Sequence, residues 1–288
     1  MWGIKLIGKK TEELIFKQLM RLANAIILFV IGLIVFTIMR KGLPALSWEI
    51  ISQVPKGGYY FGGEGGVLNA IVGSIYLAFG ATFLAFVISL PSALFINVHL
   101  QKHKKLQDII RLFIDVMWGI PSVVYGAFAF GIMIYMGIRA SLMAGIVTVA
   151  IFIMPIMIRG MDEVLKMVPK TLFESGLSLG STKYELSYRI FFKQCIPGIA
   201  TAILLSFGRA FGDVAAVLFT AGFTDNIPTS LTQPAATLPL AIFFQLSSPI
   251  PEVQNRAYAA AAILTFIILA ISVFGRMALR KYKKNSIN

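Results

Sequence analysis

Charged side chains are scarce in this chain. They make up 14% of its 288 residues, against about 25% in a typical soluble domain, which excludes an ordinary water-soluble fold. Acids are scarcer still, 13 Asp and Glu against 26 Lys and Arg. The single cysteine, Cys195, excludes an intrachain disulfide framework, and packing is its expected role. The sequence also lacks H-E-x-x-H, C-x-x-C and any Gly-rich run ending in G-K-[ST]. No hydrolytic centre or nucleotide cradle is visible, so energy for any work is expected from a partner or a gradient. The glycine-rich stretch GGYYFGGEGG at 57–66 reads as a flexible loop. His99 and His103 stand four apart without a third ligand in view and read as part of a solvated basic loop.

What the chain has instead is long apolar runs. About 20 residues at 1.5 Å rise cover the hydrocarbon core of a bilayer. Six runs qualify, at about 22–39, 68–98, 112–135, 141–158, 197–221 and 257–279. The second is longer than a bilayer needs and is expected to tilt or overhang. The third is interrupted at Gly119 and Pro121, and the fourth carries Pro155 near its end; both prolines are expected to kink their helices. Connections are short and no 20–50-residue period repeats. The expectation is an all-α integral membrane protein with one domain over 1–288, an uncleaved N-terminal anchor behind a tail at 1–21, and a core at 68–280.

The excess of positive charge, +13, could suggest nucleic acid, but its placement points to topology. With six spans, most of the 26 basic residues fall in the two tails and in the loops at 99–111 and 159–195. The opposite side holds only Arg40, Lys41, Lys56, Arg139 and Arg256. Lys and Arg are retained in the cytoplasm during insertion, so both termini and the 99–111 and 159–195 loops are expected there.

Polar groups within the spans are the candidate functional residues. Arg209 falls near the middle of the fifth run, where an arginine costs about 2.5–3.5 kcal/mol on insertion scales. Asp213 follows one helical turn later in G-R-A-F-G-D, between the small residues Gly208 and Gly212, which permit close helix approach. One reading is an ion pair that pins helices together. The other is a guanidinium fork offered to an oxyanion, with Asp213 orienting it. Arg159 closes the fourth run, as an interfacial cation or as a second oxyanion contact. Asp115, near the start of the third run, reads as a structural carboxylate at a helix N-terminus.

The segment ESGLSLGSTKYELSYRIFFKQCIPG at 174–198 is amphipathic and charged, between two apolar runs. It resembles the "EAA" loop of ABC importer permeases, roughly E-A-A, three residues, G, nine residues, I-x-L-P. Glu174, Gly180 and Ile190 keep the spacing, and Ser175 and Gly176 replace the alanines with small residues. Phe192 and Lys193 depart from the L-P pair, while Pro197-Gly198 matches the proline-glycine that often follows. Over about 40–280 the chain is similar to phosphate-importer permeases, in particular the A-type membrane subunit of the Pst system. The similarity lies in KGLPALS at 41–47, WGIPSVVYG at 118–126, PIMIR at 155–159 and GRAFGDVAAVLFTAG at 208–222. That family usually has glutamate where Asp213 stands, followed by Thr-Ala-Pro.

The resemblance implies a type I ABC importer permease fold in a bacterial or archaeal cytoplasmic membrane. It implies a second permease subunit (the C-type, as a heterodimer), two copies of a cytoplasmic ATPase that uses ATP and Mg, and a periplasmic or lipid-anchored phosphate-binding protein. No cofactor is expected on this chain. Glu174, Ser175, Gly176, Gly180 and Ile190 would couple to the ATPase, and Arg209, Asp213 and Arg159 would line the anion path. Sulfate or molybdate would suit the same arginines, and a secondary ion-coupled anion transporter remains the alternative class.

Overall fold

The computed structural model describes residues 9–283. The outer parts of the two basic tails, with Lys5 and Lys284, lie outside the described residues. Everything regular is helical, because a chain this apolar must satisfy its backbone internally in lipid. In chain order the helices are α1 (Lys9–Ala45), α2 (Trp48–Ser52), α3 (Leu68–Leu94), α4 (Lys104–Gly119), α5 (Ser122–Met136), α6 (Leu142–Lys166), α7 (Lys170–Ser178), α8 (Lys183–Glu185), α9 (Lys193–Gly212), α10 (Leu238–Leu246) and α11 (Pro251–Lys283). Two π-helical segments interrupt this order. Phe95–His99 extends α3, and Leu186–Phe192 joins α8 to α9, making one helix of Lys183–Gly212.

Five of these helices are long and apolar enough to cross a membrane, and a sixth span exists if α4 and α5 count together. The break at Ile120-Pro121 bends that pair by 91°, far more than a kinked single span. Ile120 and Pro121 are extended, as expected for a residue preceding proline and for proline itself. The remaining expected spans differ mainly at their ends. The first and last are longer than the apolar runs, and α6 continues two turns past Ile158 to Lys166. The fifth ends early, at Gly212, where Asp213 is extended. The apolar helix α10 is an element the sequence analysis did not anticipate.

The core centres on α3, α6 and α9. Ala78, Ala81 and Ala85 of α3 are wholly buried, as are Val149 and Ile153 of α6. Small residues set the spacing: a side chain at Gly160 would meet Ala202, and one at Gly198 would meet Val164, so α6 and α9 run almost backbone to backbone. By contrast, α1 packs along α11 and leaves side chains such as Ile27, Phe29 and Phe36 exposed.

The loop at 57–66, read from its glycines as flexible, is tied to α11 by contacts. Arg256, from α11, donates to the carbonyls of Tyr59 at 2.8 Å and Gly62 at 3.2 Å, and its guanidinium lies 4.6 Å from the Tyr59 ring centre. Gly58 and Gly62 have φ of 81° and 91°, which side-chain-bearing residues rarely adopt. Tyr59 is 1% exposed, and burial pushes its phenol up to about 12, so it stays neutral. These contacts join the loop to the start of α11, while the Leu68 amide at the start of α3 donates to the Gln53 carbonyl at 3.0 Å.

Candidate functional site

Arg209 and Arg159 occupy opposite electrostatic settings. Arg209 lies in the last turn of α9 rather than mid-helix, where the partial negative charge of the helix end favours a cation. Its side chain is exposed. Among the described residues the guanidinium has no hydrogen bond and no ion pair; its neighbour is the face of Phe152, 5.1 Å from Cζ to ring centre. Such a cation–π contact contributes about 0.5–2 kcal/mol and leaves the N–H edges free. Phe152, on α6, is 4% exposed. Tyr125 of α5 packs against it, ring centres 5.6 Å apart at 60°, and the Tyr125 hydroxyl donates to the Met117 carbonyl at 2.9 Å. The stack therefore runs from the charge to the α4–α5 break.

Asp213 does not pair with Arg209. The i,i+4 geometry would need the helix to continue, and it stops at Gly212. Asp213 instead accepts from the Ala216 amide at 2.7 Å through Oδ2, starting the turn that follows α9. A carboxylate one residue outside a helix does what capping side chains do.

Arg159 is neither at a helix end nor free. It sits within α6, and its guanidinium donates from Nη1 to Asp162 at 3.3 Å and forms ion pairs through Nε with Asp115 at 3.2 Å and through Nη2 with Glu163 at 3.1 Å. All three nitrogens are occupied, so the structure offers no second open fork there. Asp162, 1% exposed, is the hub. It also accepts from Asn97 at 2.8 Å, from Arg111 at 2.9–3.0 Å and from Lys166 at 2.9 Å. Three cations and three carboxylates thus tie α4, α6 and the π-helical end of α3 into one unit. Asp115 belongs to this unit, late in α4, and not to a helix N-terminus. Sequence reasoning missed Asp162, Arg111 and Asn97. The spacing R-x-x-D-E-x-x-K at 159–166 was a readable signal, since residues three and four apart share a helix face.

The segment at 174–198 forms a helix–turn–helix. Gly180 has φ 80° just past α7, where the Ser181 amide donates to the Gly176 carbonyl at 3.1 Å and the Gly180 amide to the Leu177 carbonyl at 2.9 Å. That is a glycine C-terminal cap. Thr182 and Glu185 form a reciprocal capping box at the next helix. Gly176 is buried where any side chain would strike Leu186, with Ile190 beside it. Smallness at 176 therefore sets the hairpin's closure. Glu174 and Ser175 are exposed, and Leu179 at the tip is 86% exposed. Cys195 is buried against α6, its Sγ 3.6 Å from the Val164 carbonyl.

Residues 85–281 match the family described as "Binding-protein-dependent transport system inner membrane component". The chain belongs to that family. Curated members similar to it include the phosphate transport system permease protein PstA of Yersinia pestis, 32% identical over 87% of this chain and 84% of the relative. The PstA of Haemophilus influenzae is 28% identical over 96% of each chain, and a probable PstA of Methanocaldococcus jannaschii is 29% identical over 92% and 96%. Solved structures that share the fold include chains of two ABC transporters. A chain of a bacterial alginate ABC transporter superposes with a TM-score of 0.65 over 96% of this chain and 98% of that one, at 13% identity. A chain of the MetNI methionine ABC transporter, in an inward-facing conformation, gives 0.61 over 75% and 95%, at 17% identity. The helical architecture is that of a type I ABC importer permease.

Proposed function

We propose that this chain is a transmembrane permease subunit of an ATP-driven importer of inorganic phosphate, forming the translocation pathway and drawing its energy from a separate ATPase. The observation that carries this reading is similarity to phosphate permeases along nearly the whole chain. Arg209 supplies its physical content. A guanidinium on the outer face of an apolar helix, with no anion of its own, would be costly against lipid. Facing a hydrated path between subunits, it offers bidentate donors to a phosphate oxyanion. With one open arginine among the described residues of this chain's path, binding stays weak enough for release.

Asp213 acts by capping and so fixes where α9 ends beneath Arg209. Arg159 contributes through the ionic unit and not by touching the anion. The hairpin built on Gly176 and Gly180 is the docking element for the ATPase, with Glu174, Ser175 and Ile190 in its first and second arms. Its exposed Leu179 and Tyr184 suit a cleft in a partner. The assembly comprises a second permease (a C-type heterodimer partner), two ATPase copies that consume ATP and Mg, and a phosphate-binding protein on the far side. Both termini and the hairpin face the cytoplasm by the distribution of basic residues.

The test is ATP-dependent phosphate uptake by the assembled complex in proteoliposomes. Arg209→Ala abolishes uptake while the ATPase still co-purifies. Normal uptake in that variant, or uptake driven by an ion gradient without ATP, overturns the proposal.

A further inference from the structure

We infer that Phe152 is a positioning residue for phosphate passage: its ring holds the Arg209 guanidinium by one face so that every N–H edge stays open to the anion. This rests on reading Arg209 as a residue of the phosphate path.

The argument starts from what a cation needs in an apolar setting. A carboxylate partner would stabilise Arg209 but would occupy its donors, as Asp115, Asp162 and Glu163 do for Arg159. An aromatic face stabilises the charge through the ring quadrupole and uses no donor. Contact with a buried ring also limits the rotamers of the arginine, so less freedom is lost when the anion arrives. The ring can do this because it cannot turn away. Phe152 is 4% exposed, and Tyr125 blocks it edge-on while anchored to the Met117 carbonyl. The Met117 carbonyl lies in the last turn of α4, next to the 91° break. Movement of α4 relative to α5 would therefore reach the guanidinium through Tyr125 and Phe152.

The test uses the whole complex in detergent, without the binding protein. Phenylglyoxal modification of Arg209 is followed by peptide mass spectrometry over a series of inorganic phosphate concentrations. In the native complex, phosphate protects Arg209. Phe152→Leu raises the phosphate concentration for half-protection about fivefold, and Phe152→Met, which retains bulk without a ring, does the same if the leucine variant fails to assemble. Phe152→Tyr and Phe152→Trp stay within about twofold of the native value. A packing role alone predicts the reverse order, because tryptophan overfills a buried site and leucine does not. Unchanged protection in Phe152→Leu and Phe152→Met, or a larger shift in Phe152→Trp than in Phe152→Leu, overturns the inference. Absence of any phosphate protection in the native complex instead overturns the assignment of Arg209 to the path.

Discussion

Two arginines of one chain, fifty residues apart, show how the surroundings divide one chemistry into two roles. Arg159 is enclosed by Asp115, Asp162 and Glu163, and every nitrogen has an anion. Arg209 has a helix end and a ring face and, among the described residues, no anion. The first arrangement is neutral, with Arg111, Arg159 and Lys166 balancing three carboxylates, and it joins helices. The second leaves a net charge at the surface of the bundle, which is tolerable only where water or a passing anion meets it. A neutral, saturated cluster suits a part that moves as a block. An open cation suits a part that binds and releases.

The sharpest way to break this contrast is to remove each charge in turn. Arg209→Gln lowers ATP-driven phosphate uptake by about 100-fold or more, the loss expected for a bidentate charge-assisted contact, while the melting temperature of the complex stays near the native value. Asp162→Ala does the opposite first. It strips a buried hub from three cations and an amide, costing about 3–5 kcal/mol of stability, read as a fall in melting temperature and in yield of assembled complex. If Arg209→Gln melted early and Asp162→Ala did not, the two roles would be exchanged.

A third change addresses the hairpin. Gly176→Val drives a branched side chain into Leu186 and opens the helix–turn–helix, at a cost of about 1–3 kcal/mol for overpacking. The expected result is loss of ATPase co-purification with the helices still inserted. The smallest effect belongs to Asp213. Asp213→Asn retains an acceptor for the Ala216 amide and costs a few tenths of a kcal/mol, whereas Asp213→Ala costs about 1 kcal/mol. Uptake in Asp213→Asn within about threefold of native separates a cap from an ion-pair partner; a collapse matching Arg209→Gln would restore the paired reading.

Much of the outline was readable in the amino acids. The helices α1, α3, α6, α9 and α11 are written in long apolar runs, and Arg209 is visible because a charge within such a run is expensive. The hairpin is legible in Glu174, Gly180 and Ile190 because its turn needs a left-handed residue at one position. The end of α9 is not, since the residues after Asp213 are as apolar as those before Arg209, and only the bond from Ala216 to Asp213 marks the stop. The order in the 57–66 loop depends on Arg256, almost 200 residues away, and glycine content alone suggested mobility.

The sequence by itself determined that the chain lives in a membrane, which loops carry the positive charge, and that an arginine, with an aspartate four residues on, falls among apolar residues. These follow from local transfer free energies, which add along a chain. Tertiary structure decided which charges are spent on each other. Asn97, Arg111 and Asp162 meet only because α3, α4 and α6 converge, and Phe152 meets Arg209 only because α6 packs beside α9. Coulomb and quadrupole interactions depend on distance in space, and spacing along the chain carries no record of it.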